Sequence, residues 1–302
     1  MINNISDLNK YAIGKGLEYI VELPLAIRND DIIEAMSKRH YEFTNLLRDF
    51  WKGNNTSNYE YVIYEIDRLR DCFVNVNKKG DAAYSDLARV LTDINDTHKL
   101  FNFIKKPLDN IKLYRFCSYD TNLSQPKHFY HCPTIIQGSN TRFGKPDNYL
   151  WYLGYSETVS KYEAKGKPGS MATFIKRNVE EPLYIIDLTQ DGLFKDDSSD
   201  FDMLCYIFWW LLVCCYCVAE DERFDTETYA FPQLVSRYFK ENYPDVDGIK
   251  YYTVRNTKLN PYEKTYTNVA LFTREYNLEG YDMNLCGKFK MIESKQNVKT
   301  DI

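Results

Sequence analysis

No block of positive charge stands out in this sequence, and that absence narrows its partners first. Lys and Arg number 38 against 43 Asp and Glu, the net charge is −5 and the pI is near 5.5. A chain so balanced and mildly acidic is not expected to bind nucleic acid directly. The opening residues, MINNISDLNKYAIGKG, lack a charged segment followed by an apolar run, so no secretory leader is expected and the reading is cytoplasmic. Long apolar runs are scarce as well. The stretch MLCYIFWWLLVCCYCVA at 203–219 carries no charge, but it sits at the short edge of a spanning helix. Asp200, Asp202, Glu220, Asp221 and Glu222 flank it, and basic anchors are nearly missing, so a buried segment is expected and no membrane contact. Four of the eight cysteines (Cys205, Cys214, Cys215, Cys217) crowd into it, which reads as buried reduced thiols rather than disulfides or zinc ligands. Internal repeats and regular βαβ alternation are also lacking.

What the chain does have is material for a core: 44% hydrophobic residues, with aromatics at 16%. Up to about residue 105 the apolar positions recur at helical spacing. Ile32, Ile33, Met36 and His40 lead into Phe43, Leu46, Leu47 and Phe50. A turn at Asn54, Asn55 and Ser57 precedes Tyr61, Ile63, Tyr64, Ile66 and Leu69, and Tyr84, Leu87, Val90, Leu91 and Ile94 follow Gly80. This predicts an α-helical module over 1–105. From Lys106-Pro107 onward short β-like runs dominate, at 111–117, 149–155, 183–188, 249–255 and 268–273, with helices predicted at 156–164 and 232–242. The fold class is therefore α+β, with a mixed β core over 106–280 and a polar tail, expected to be mobile, over 281–302.

Several residues resist a purely structural reading. Arg115 lies in a strand apolar on both faces, where a guanidinium needs an anionic partner: an internal acid or a bound phosphate. Tyr152 shares a face with Gly154, and a glycine there leaves room for a ligand to approach the backbone. Ser156 suits a helix cap, and in the helix after it Glu163 falls on the apolar side, where an acid is costly unless paired or working. Thr253 follows the turn Asp247-Gly248; taken alone it is an ordinary strand former. His128 and His131 have a metal-like spacing without a matching set of acids or cysteines, so no metal is expected. His40 and His98, the histidines of the helical region, follow no arginine at the Arg-x4-6-His spacing of known helical ribonuclease modules and read as structural.

These positions line up with a known family. L-Y-R at 113–115, T-R-F-G-K-P at 141–146, L-W-Y-L-G-Y-S-E-T-V-S-K-Y-E at 150–163, Y-A-F-P-Q-L-V at 229–235, D-G-I-K-Y-Y-T-V-R at 247–255 and T-N-V-A-L-F at 267–272 together resemble the RES domain, in the family's order. The resemblance implies an ADP-ribosyltransferase-like mixed β core. It also implies a toxin-like enzyme that consumes NAD by hydrolysis or phosphorolysis, with inorganic phosphate as the co-substrate in the second case. NAD would be a substrate, no cofactor is implied, and the family's usual partner is a helix-turn-helix antitoxin. By position, Arg115, Tyr152 and Glu163 match its functional arginine, tyrosine and glutamate, which are expected to meet in one pocket shaped for a dinucleotide, and Arg142 matches a second arginine. Tyr155 and Gln233 fall in matching segments as substrate contacts. The family's serine is Thr253 here, and Asn140 and Thr141 stand where glycines usually precede Arg142. Those departures keep two alternatives open: ADP-ribosyl transfer to a macromolecule, and a weakened module that only binds NAD or a partner.

Overall fold

Helix α1 (Ile32–Trp51) forms where the sequence repeats apolar residues every three or four positions, and Met36, Phe43, Leu46, Leu47 and Phe50 are all buried. Helices α2 (Tyr59–Lys79) and α3 (Tyr84–His98) repeat the pattern, with Val62, Ile66, Leu69, Phe73, Leu87, Val90, Leu91 and Ile94 inside. α1 packs on α2 and α2 on α3, and a short helix α4 (Leu100–Ile104) closes this run. The structure is a computed structural model, and it describes residues 14–15, 32–51, 59–136, 141–146, 148–163, 167–189, 225–253 and 267–299. The apolar run at 203–219, the turn expected at Asn54, Asn55 and Ser57, residue Asn140 and the side chain of His98 lie outside the described residues. Among the described residues no helix is long and apolar enough to cross a membrane.

The chain divides into two compact units, Met1–Ile104 with Gln190–Val235 and Lys105–Thr189 with Ser236–Ile302. The first division falls between Ile104 and Lys105. The last division falls within helix α6, defined below.

The second unit is a sheet. Its strands are β1 (Lys105–Pro107), β2 (Leu113–Cys117), β3 (Leu150–Gly154), β4 (Gly169–Lys176), β5 (Tyr184–Asp187), β6 (Gly248–Tyr252), β7 (Thr267–Phe272) and β8 (Phe289–Val298). Helix α5 (Glu157–Glu163) follows β3, α6 (Asp225–Asn242) precedes β6, and α7 (Met283–Gly287) precedes β8. The strand order is β1-β5-β6-β7-β3-β2-β4-β8. β5 and β6 run parallel and every other pair is antiparallel, so the architecture is α+β with a mixed sheet.

Trp151 centres the core of this unit. It is fully buried, its Nε1 donates to the carbonyl of Phe129 at 2.9 Å, and Phe174 and Phe289 meet it edge-on, each at 5.2 Å between ring centres. Truncating such a side chain costs about 3–5 kcal/mol. The residues sharing its face, Leu153, Val269 and Leu271 among them, fill one side of the sheet.

The polar tail expected at 281–302 is corrected by the structure. Residues 283–287 form α7, capped by Asp282 Oδ1, which accepts from Leu285 N at 2.9 Å, and β8 pairs along β4 as an edge strand. An edge strand largely exposed on both faces has no need of alternating apolar residues, so Phe289–Val298 reads as polar although it is regular. β4 was not anticipated either: its Gly-Ser start and continuous burial lack the alternation that marks a half-buried strand.

Candidate active site

Antiparallel register places side chains across the sheet. Tyr152 pairs with Ala270, and Ala270 with Ile249; Gly154 pairs with Asn268, and Asn268 with Tyr251. Directly opposed residues share a face, so Tyr152, Gly154, Asn268 and Tyr251 project to one side, away from Trp151. Thr253 continues that side one step past β6.

Over this face sits α5. Ser156 caps it as its sequence position suggests, with Val159 N donating to Ser156 Oγ at 3.2 Å. A Cβ at Gly154 would stand 2.4 Å from Ser160 Oγ and 2.8 Å from Val159 Cγ1. The glycine therefore admits the helix itself, and not a ligand as its position first suggested. Ser160 Oγ then donates to the carbonyl of Tyr114 at 3.0 Å, which ties α5 to β2.

That docking sets the last residue of α5, Glu163. Its Oε1 accepts from Thr253 Oγ1 at 3.0 Å and from Asn268 Nδ2 at 2.9 Å. A carboxylate at a helix C-terminus faces exposed carbonyls and is disfavoured there, and two donors from the sheet and its margin fix its direction. Thr253 and Asn268 are buried while Glu163 is partly exposed, so the anchors are dry and the acid reaches solvent. Asn268 was not singled out from sequence. A strand asparagine next to a threonine carries no signal by itself; its pairing opposite Gly154, under the helix, makes it important.

Tyr152 lies beside the same group. Burial pushes its phenol up to about 12; Arg142 opposes that shift and the Glu163 carboxylate adds to it. The phenol therefore stands within electrostatic reach of both charges. Arg142 is buried, in a loop over 141–144 that Tyr152 contacts directly.

Arg115 is not brought into this cluster. Tyr114 pairs with Gly154, so Tyr114 takes the face of Tyr152 and Arg115 takes the reverse face, with Leu113 and Cys117. Its charge acts on Cys117, Tyr119, His131 and Cys132. Its link to the site runs through the backbone: Nη1 donates to the carbonyl of Tyr152 at 3.1 Å. β2 and β3 pair at that one position, and the guanidinium bridges them just beyond it. The expectation that Arg115, Tyr152 and Glu163 point into one pocket is thus corrected by strand parity.

Tyr155 also sits apart. It belongs to the apolar core, with Lys250 Nζ 5.3 Å from its ring centre. Lys250 bridges to Asp187 at 2.9 Å, and Asp187 accepts from Thr189 N at 2.8 Å and from Thr189 Oγ1 at 2.5 Å. Gln233 is buried on α6, within the stretch that groups with the helical unit. His131 is a structural tie. Asp282 N donates to its Nε2 at 2.8 Å, which leaves the proton on Nδ1, 2.7 Å from the carbonyl of Cys132. Among the described residues no group of His, Cys, Asp and Glu is arranged to hold a metal ion.

No family model matches the chain, and no curated protein matches it. Among solved structures the chain is similar to the M. tuberculosis MbcT–MbcA toxin–antitoxin complex, with a TM-score of 0.36 and 8% identity over 66% of this chain and 90% of that one. A superposition this loose leaves function to be argued from the residues.

Proposed function

We propose that this protein consumes NAD by breaking the bond between nicotinamide and ribose, with water or phosphate taking the sugar. The observation that carries this reading is the Glu163 carboxylate, oriented at Oε1 by Thr253 and Asn268, with its charge and that of Arg142 both felt at the Tyr152 phenol. When the bond breaks, its electron pair leaves with the pyridine nitrogen, which goes from cationic to neutral and so needs no acid. The ribose is left as an oxocarbenium-like cation. A fixed carboxylate at that carbon stabilises the developing charge without reorganising. Water then adds and releases a proton, or a phosphate oxygen adds to give the 1″-phosphate.

Arg142 is the group suited to the pyrophosphate, by charge and by its planar fork. Arg115 enters as a brace for β3 beneath Tyr152. Thr253 keeps the hydroxyl that the family's serine would supply and directs it at Glu163, which favours a working site over one that only binds. The resemblance to RES toxins adds that a partner protein restrains the activity in the cell.

The test incubates purified protein with NAD, with and without phosphate, and identifies products by mass. Free ADP-ribose, or its 1″-phosphate when phosphate is present, is the expected result. Label from NAD on a macromolecule would replace this reading with ADP-ribosyl transfer, and intact NAD would end it.

A further inference from the structure

The loop that carries Arg142 is fastened by two hydroxyls. Tyr152 Oη accepts the N–H of Phe143 at 3.1 Å and lies 2.7 Å from Thr141 Oγ1. Thr141 Oγ1 accepts from Gly144 N at 3.1 Å and donates to the carbonyl of Gly144 at 3.1 Å, beside the backbone bond from Thr141 N to the same carbonyl at 2.9 Å. With Thr141 donating to Gly144, the shared contact needs Tyr152 to donate to Thr141. That one arrangement gives every donor in the ring an acceptor. It requires a protonated phenol, and a phenol pushed up to about 12 by burial stays protonated throughout the neutral range.

The packing has the same purpose. A Cβ at Gly144 would stand 2.9 Å from Thr141 Oγ1 and 2.8 Å from the carbonyl oxygen of Asn148, so the closeness of this loop depends on glycine. Phe143 is fully buried, edge-on to Tyr251 with 4.8 Å between ring centres. Arg142 lies between these anchors, a buried residue flanked by Thr141 on one side and Phe143 and Gly144 on the other.

We infer that Thr141 and Tyr152 form a two-hydroxyl clamp on the loop that carries Arg142, so that both act as positioning residues for it. This assigns the Tyr152 phenol to the loop and not to the substrate. It also gives a function to the threonine that stands where a glycine would be expected. The inference rests on the NAD reading for its kinetic consequence and on hydrogen bonding alone for the clamp.

The experiment compares Thr141→Val, Thr141→Ser and Tyr152→Phe with the unaltered full chain, in NAD kinetics and in amide hydrogen exchange at Phe143 and Gly144. Losing one such bond should raise KM for NAD about tenfold in Thr141→Val and in Tyr152→Phe, with kcat held within about threefold. Thr141→Ser, which keeps the hydroxyl, should restore KM. The Gly144 amide should exchange faster in Thr141→Val and the Phe143 amide faster in Tyr152→Phe. Unchanged exchange in both variants overturns the clamp. Faster exchange with unchanged kinetics overturns its positioning function. A fall in kcat in Tyr152→Phe that Thr141→Val does not share returns the phenol to the substrate and overturns the assignment. If the unaltered protein leaves NAD intact while the exchange pattern holds, the NAD reading fails and the clamp stands as a device of the loop.

Discussion

Two carboxylates at the same end of the sheet are held in opposite ways. Asp187, at the end of β5, accepts from the Lys250 ammonium at 2.9 Å and from both the N–H and the hydroxyl of Thr189. Glu163, at the end of α5, is oriented by the neutral hydroxyl of Thr253 and the neutral amide of Asn268. An ion pair cancels its own field, so Asp187 and Lys250 act on little beyond their neighbours. The two neutral donors on Glu163 Oε1 fix the direction of that carboxylate. On the proposed function the first acid is assigned to the fold and the second to the chemistry.

Removing the Glu163 charge is the sharpest way to break the comparison. Glu163→Gln keeps size and shape and should lower the rate of NAD loss by about 10³-fold, the scale of one preorganised electrostatic group. Its melting temperature should stay close to that of the unaltered protein, since Glu163 is partly exposed. NAD loss at the original rate would take Glu163 out of the mechanism.

The corresponding cut on the other side should show in stability. Lys250→Met leaves the Asp187 carboxylate in a dry site without its ammonium, a loss of about 3–5 kcal/mol. Urea denaturation reads this directly. A variant as stable as the parent would mean that the pair contributes nothing, and the division of labour between the two acids would collapse.

How much of this division was legible in the sequence follows the same line. Glu163 could be found because an acid on an apolar helix face conflicts with its surroundings. Tyr152, Thr253 and Arg142 were singled out by their order within a resemblance, and nothing local marks them. Asn268 and Thr141 could not be found, because each matters through one hydrogen bond made across the chain, and neither residue type is out of place locally. Lys250 was hidden for a similar reason: a lysine in a short strand looks like a solvent-facing position until its partner on β5 is known. The face of Arg115 within its strand, shared with Leu113 and Cys117, follows from alternation, but that Tyr152 lies on the other side of the sheet follows only from the register that pairs Tyr114 with Gly154. β8 was missed because exposure on both sides removes the alternation that reveals a strand.

A group with no hydrogen-bond partner extends the comparison to the helical unit. His40 is fully buried on α1, and neither ring nitrogen finds a partner among the described residues. Burial lowers its pKa to about 3, with Arg70 and Arg39 adding to the effect. The unfolded chain would bind this proton below about pH 6.5 while the folded chain refuses it down to about 3. Stability is therefore full above the upper value and falls as pH drops through that window, by at most about 1.4 kcal/mol per pH unit for one proton. His40→Leu removes the group without breaking a hydrogen bond, so denaturation curves across pH 4–7 should flatten by that slope. An unchanged slope would place the acid sensitivity elsewhere.

The smallest effect tests the finest point, the threonine in place of serine. Thr253 is 2% exposed, so its methyl group has a packed site and its hydroxyl has one direction. In Thr253→Ser the donor to Glu163 remains while one buried carbon is lost, worth about 1 kcal/mol of stability. The rate should change by less than about threefold, because the carboxylate keeps both its donors. Thr253→Val supplies the contrast: the shape stays, the donor goes, and the rate should fall about tenfold. A serine variant much faster than the parent would show instead that the methyl group restrains the reaction, and the neutral clasp on Glu163 would then be a brake built into the site.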